Sequence, residues 1–182
     1  MKKHLNDRKA AHLAAFFLRL AGGRLPVLKL VKLMYLAERE HLRKYFRPIT
    51  LDRFVSMPHG PVPTATYDLI NGALESEEWE RLIEDREHHD VSLRDMDFEP
   101  CELSELEEQT AREVWERFKD LNQWELRDWT HDHCPEWEDP DGSSYPIPYS
   151  RILEKAAGLD ANVAKEIADE IESLRAASLE TE

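Results

Sequence analysis

The densest run of chemically versatile side chains is Thr130-His131-Asp132-His133-Cys134. Histidine, cysteine and aspartate ligate transition metals, and a cysteine beside a histidine can form a nucleophile–base pair. Spacing limits both chemistries. On a helix Cys134 shares a face with His131, whereas His131 and His133 point about 200° apart. Zinc wants convergent ligand pairs and commonly four ligands, yet His59, His88, His89 and Cys101 are scattered along the chain. A nucleophilic Cys134 would need an orienting third residue and an oxyanion loop; neither stands nearby, and Pro135 follows directly. The simpler reading is that Thr130 and His131 hydrogen-bond neighbouring backbone while Cys134 is buried as a small hydrophobe. Phosphate loops are missing too, with no Gly-x-Gly-x-x-Gly and no Gly-Lys-Ser/Thr. The sequence therefore predicts no catalytic residue, no metal and no cofactor. A metal-dependent hydrolase using His131 and Cys134 is the weaker alternative.

The most specific local feature is Pro58-His59-Gly60-Pro61-Val62-Pro63. Each proline fixes φ near −65° and removes an N–H donor, and Gly60 can take a φ closed to other residues. Two readings stand side by side: a stiff corner between a strand and a helix, or a recognition surface whose rigidity lowers the entropy cost of binding.

These residues need elements to hold them, and periodicity supplies a mainly α fold: a compact bundle of about seven helices with a small β-strand or hairpin element. Ala10, Leu13, Ala14 and Phe17 mark a first helix over 7–20, with Arg8, Lys9, His12 and Arg19 off its stripe, and Gly22-Gly23 stops it. Pro26 suits the first turn of a second, very apolar helix running to Tyr45, with Lys29, Lys32, Arg39, Arg43 and Lys44 on its remaining face. Phe54 and Val55 fit a strand, and Thr64 caps a short helix to Ile70. Trp79–Ile83 and Val91–Leu93 are placed as a short hairpin with a polar tip at 85–90. Ser104 with Glu107, and Asn122 with Glu125, read as capping boxes opening two further helices. Glu136–Pro148 is an ordered loop, Pro148–Ala157 a short helix stopped by Gly158, and residues 160–177 a last helix capped by Asp160, with a frayed tail at 178–182. Of the five tryptophans, core packing is the expected role of Trp115 and Trp124, leaving Trp137 as an aromatic anchor for an interface.

The whole chain, 182 residues, fits a single domain over 1–182. No apolar run approaches the roughly 18–20 residues of a membrane helix. The opening Met1-Lys2-Lys3-His4 lacks a secretory h-region, and two cysteines make no disulfide framework, so a cytoplasmic protein is expected. Net charge is −14. It divides unevenly: residues 1–47 hold 12 basic and 3 acidic side chains, and residues 48–182 hold 12 and 35. If the fold keeps the two parts separate, the surface is dipolar. An acidic surface repels phosphate, which argues against a general nucleic-acid binder, and invites a basic partner. On charge alone, simple solubility is the favoured reading.

Lys32-Leu33-Met34-Tyr35-Leu36-Ala37, Pro48-Ile49, Ser56-Met57-Pro58-His59-Gly60-Pro61-Val62, Tyr67-Asp68-Leu69-Ile70, Trp129-Thr130-His131, Cys134-Pro135-Glu136-Trp137, Asp139-Pro140 and Ser143-Ser144 follow one another in that order. This order resembles the Panacea antitoxin-domain family, the SocA-like or phage-associated GepA-like domain, over about residues 25–172. Members often carry glycine before the β segment, where this chain reads Phe46-Arg47-Pro48-Ile49-Thr50-Leu51. The resemblance implies an antitoxin of a toxin–antitoxin system, which neutralises a cognate protein toxin by direct binding, without catalysis. It implies that Pro58, His59, Gly60, Pro61, Val62, Thr130 and His131 are scaffold that pins the turn to the distal helix. It also implies that toxin-facing residues vary with the toxin; Trp137, Glu136, Asp139, Glu166 and Glu170 are the candidates. The partner expected is a toxin with a basic surface, with homo-oligomerisation left open. A proteolytic adaptor that presents the toxin to a protease is the alternative role.

Overall fold

The computed structural model describes residues 6–87 and 89–180. The fold is mainly α, with eight helices among the described residues rather than about seven, and two small antiparallel sheets.

Helix α1 (Asp7–Leu20) opens on Asn6, whose side chain accepts from the Lys9 amide, and it is buried on every side from Ala10 to Leu18. His12 is inside as well, which corrects its placement off the stripe. Its Nε2 lies 2.7 Å from Glu78 Oε1, a partner delivered from a helix far along the chain. The Arg81 guanidinium and His12 hold the Glu78 carboxyl down at about 2. A three-residue strand, β1 (Arg24–Pro26), then leads into α2 (Val27–Tyr45). α2 is the axis of the molecule, packing against α1, three helices of the second half and the β3 strand described below. It stops at Phe46, which sits at φ 57 and donates its N–H to Leu42 O.

Strands β2 (Phe54–Met57) and β3 (Gly60–Pro63) form a hairpin turned at Pro58-His59, and β6 (Tyr145–Ile147) pairs on the other side of β2. The stiff segment is thus itself a strand. Helix α3 (Thr64–Ile70) follows, but Thr64 does not cap it. The buried Asp52 carboxylate takes the Ala65 and Thr66 amides at 2.9 Å each. The expected hairpin near residue 80 exists with a shifted start: Trp79 belongs to α4 (Glu77–Leu82), capped by Ser76, and the hairpin is β4 (Ile83–Glu87) with β5 (Asp90–Leu93). β5 also pairs with β1.

The two capping boxes are formed, opening α5 (Glu105–Phe118) and α6 (Gln123–His133). Helix α7 (Tyr149–Ala157) ends at Gly158 in the left-handed region. The last helix, α8 (Ala161–Glu180), extends past the expected end, so residues 178–180 are helical rather than frayed; 181–182 lie outside the described residues, as do Met1-Lys2-Lys3-His4 and His88. One cluster of buried apolar side chains runs from Ala10 to Ile171.

The lopsided charge does not become a dipole, because the fold interleaves the two parts. Arg8 meets Glu102 at 2.7 Å, Lys9 meets Glu107 at 2.5 Å, Arg24 meets Asp90 at 2.8 Å, Arg39 meets Glu136 at 2.5 Å, and Lys44 meets Glu113. Lys29 and Lys32 point inward, not to a solvent face. Lys29 Nζ donates to Lys119 O and Leu121 O, both at 2.7 Å. The cationic helices are wrapped by the acidic segments, and the surplus of acid is left outside.

Candidate functional site

The family-like motif is assembled around one face of α2. Gly60 has φ +97°, and a Cβ there would stand 2.8 Å from Thr130 Oγ1 and 3.1 Å from Lys32 Nζ. Only glycine lets the β2–β3 turn approach α6 and α2 this closely. Thr130 is fully buried, and its hydroxyl donates to Arg127 O at 2.7 Å. Lys32 Nζ donates to Pro61 O at 2.7 Å. Burial pushes this amine down to about 7, with the nearby Cys134 opposing. The structure therefore brings Gly60, Pro61, Thr130 and Lys32 into mutual contact range. Val62 is buried opposite Val55, while Pro58 and His59 remain exposed.

The loop after α6 completes the collar. His131 stacks on Trp137, ring centroids 4.1 Å apart, and Trp137 Nε1 donates to Met57 O at 2.9 Å. The His131 Nε2 is buried with no hydrogen-bond partner; burial, then Lys32, lowers its basicity. Glu136 is 1% exposed. It accepts from Tyr35 Oη at 2.6 Å and from Arg39 Nε at 2.5 Å. A side chain so enclosed cannot meet a toxin, which removes Glu136 from the toxin-facing candidates. Trp137 is half-buried and occupied by His131 and the β2 backbone.

The remaining candidates do not gather at this collar. Asp139 is exposed beyond it, accepting from the Asp141 amide, and Glu166 and Glu170 are exposed on α8 beside Arg47. Cys134 is 0% exposed, and burial pushes its thiol up to about 12, so no thiolate forms near neutrality. Among the described residues no group of three or more His, Cys, Asp or Glu is placed to hold a metal ion. Nor is any helix among them long and apolar enough to cross a membrane.

Beside the collar lies a groove of about 430 Å³, walled by Val27, Leu28, Val31, Met57, Val62 and Trp124. Trp124 is 50% exposed, not in the core as expected, and His59 lies edge-on to it at 6.4 Å. A second cavity, about 710 Å³, lies away from the motif between β2, α3, β6, α7 and α8. Its rim holds Arg53 and Glu172, 3.5 Å apart.

Residues 30–138 match the model of the antitoxin SocA-like family, Panacea domain. The chain belongs to this family. No curated protein and no solved structure matches it. The matched stretch is narrower than the 25–172 that motif order indicates. It contains the whole collar of the Panacea domain, from α2 to Trp137, and leaves out α1, α7, α8 and Asp139. Sequence reasoning missed Lys32 and Glu136 as the buried centres of this collar. The available signal was the spacing Lys29-Lys32-Tyr35-Arg39, a polar stripe on one face of an otherwise apolar helix.

Proposed function

We propose that this Panacea-domain chain is the antitoxin of a toxin–antitoxin pair, acting in the cytoplasm and neutralising its protein toxin by direct contact. The observation that carries the reading is the family match over residues 30–138, which covers every residue of the buried collar. The collar itself fits a scaffold better than a reaction centre. Lys32, Arg39 and Glu136 are engaged with one another or with backbone, His131 is stacked on Trp137, and Cys134 is held as a neutral thiol. The hydrolase alternative needs a reactive Cys134 and loses it here. The adaptor alternative is separated from direct neutralisation by the toxin's half-life measured with and without a host protease.

The toxin is expected to carry a basic surface. With many cations of α1 and α2 paired to acids of the second half, the net field outside the antitoxin is acidic, and complementary charge speeds encounter. Co-expression with the adjacent reading frame tests the reading. Growth arrest by that product alone, relieved by this chain, is the expected result. An adjacent product that is harmless alone, or equally toxic in the presence of this chain, overturns it.

A further inference from the structure

Trp124 is the second residue of α6, a position where its indole is free of the helix's own core stripe. It is nevertheless held in place. Its amide donates to Asn122 Oδ1 at 2.9 Å, the Arg127 guanidinium lies 5.2 Å from its ring centre, and His59 approaches edge-on. An exposed tryptophan ordered in this way loses little freedom on binding, the property of interface anchors. The groove beside it has a volume in the range of built ligand sites, roughly 300–1,000 Å³, and most of its wall is aliphatic or aromatic, with His89 and Gln123 as polar lining. Lys32 forms part of the floor but is 0% exposed, its amine turned to Pro61 O, so it offers a visitor no charge.

The charges around the groove decide the kind of visitor. The cations are taken: Lys29 by two carbonyls, Lys32 by one, Arg127 by Asp128 at 2.6 Å. Acids stand outward on the same stretch: Asp120 and Asp132 are exposed, whereas Asp128 is matched by Arg127 and Glu125 is taken up in the α6 capping box. We infer that this groove is the docking site of the toxin, and that its occupant is an apolar toxin segment flanked by lysine or arginine. The apolar side chains fill the space between Leu28, Met57 and Trp124, and the flanking cations face the acids of α6. The inference rests on the antitoxin reading above and names the surface that performs it. It also gives the Pro58–Val62 turn a role beyond scaffold, since the collar holds Pro58 and His59 at the groove's edge.

The test is titration calorimetry of the purified chain against the product of the adjacent reading frame. The proteins are wild type, Trp124→Ala, Leu28→Arg, and a Glu166→Lys/Glu170→Lys pair on α8, each checked by thermal melting. Trp124→Ala is expected to weaken binding about tenfold or more with an unchanged melt, and Leu28→Arg more strongly still. The α8 pair is expected to stay close to wild type. If wild type binds and both groove variants bind within about twofold of it, the groove is not the site, while the antitoxin reading stands. If wild type does not bind at all, the antitoxin reading falls and the occupant with it. If the free chain is a dimer that Trp124→Ala converts to monomer, a second copy covers the groove and the toxin assignment is overturned.

Discussion

Around α2 and along α8 the same kinds of charged side chain are put to opposite uses. In the collar, Lys32, Arg39 and Glu136 have left water, and each is held by a partner far away in sequence. On α8, Glu166 and Glu170 stand in solvent, while Ala164, Ala168 and Ile171 of the same helix pack inward. The collar charges are architecture: a buried ion loses its hydration and must be repaid by geometry. Glu166 and Glu170 cost the fold nothing and contribute little to it, unlike Arg175 of the same helix, which is buried and donates to Leu51 O. A net charge of −14 therefore describes mainly the second kind, because the first cancels inside.

If that division is right, substitutions should sort by region. The largest loss is expected for Glu136→Ala, which strands Arg39 and the Tyr35 hydroxyl; removing one partner of a buried pair costs about 3–5 kcal/mol. Chemical unfolding that shows less than about 1 kcal/mol would mean the collar is not a cooperative unit. Gly60→Ala comes next. Its methyl group meets Thr130 and Lys32 at a positive φ, and a loss of about 2–3 kcal/mol is expected for strain and clash together, read as a drop in Tm.

The third test uses pH. Folding lowers the Lys32 amine from its ordinary range to about 7. Between about 7 and 10.5 the unfolded chain then holds a proton that the folded chain does not, so stability rises with pH across that window. The expected gain between pH 7 and 9 is on the order of 1–2 kcal/mol. Lys32→Met should flatten the rise, and an equal rise in the variant would place its source elsewhere. Phe46→Gly is a smaller effect of opposite sign. It relieves a left-handed non-glycine residue at the end of α2, for a gain of up to about 1 kcal/mol in a melt. Smallest of all is the α8 pair Glu166→Lys/Glu170→Lys, expected to leave stability within about 0.5 kcal/mol. Any effect it has on toxin binding should fade with added salt. A loss comparable to that of Glu136→Ala would erase the distinction between the regions.

Long periodic helices and their caps were legible in the sequence, because the signals are local: Ser104 with Glu107, Asn122 with Glu125, Gly158 closing α7. What was not legible depended on distant partners. Three-residue strands such as β1 and β6 carry no alternation of their own and exist because β5 and β2 lie beside them. His12 and Lys32 read as surface residues because Glu78 and Pro61 O, which make their burial tolerable, belong to other elements. The stretch 46–51, which departs from the family's glycine usage, still takes positive φ at Phe46 and Leu51. The Glu38 carboxylate clamps the loop between them by accepting the Ile49 and Thr50 amides. For the site, motif order identified the collar, whereas the exposure of Trp124 required knowing which faces of α6 the collar covers.

The hairpin edge has a consequence for how a partner can attach. The Thr64 amide bonds inward to Arg53 O, so alternation turns positions 61 and 63 of β3 outward. Both are proline, and the Pro61 carbonyl is already held by Lys32. This edge presents no N–H for another chain to read and its four residues are buried, with α2 and α6 packed against them, so strand addition is closed to it. No partner chain, and no second copy of this one, can extend the sheet there. Association at this edge must proceed through side chains, and the free chain is spared strand pairing at β3 as a route to aggregation.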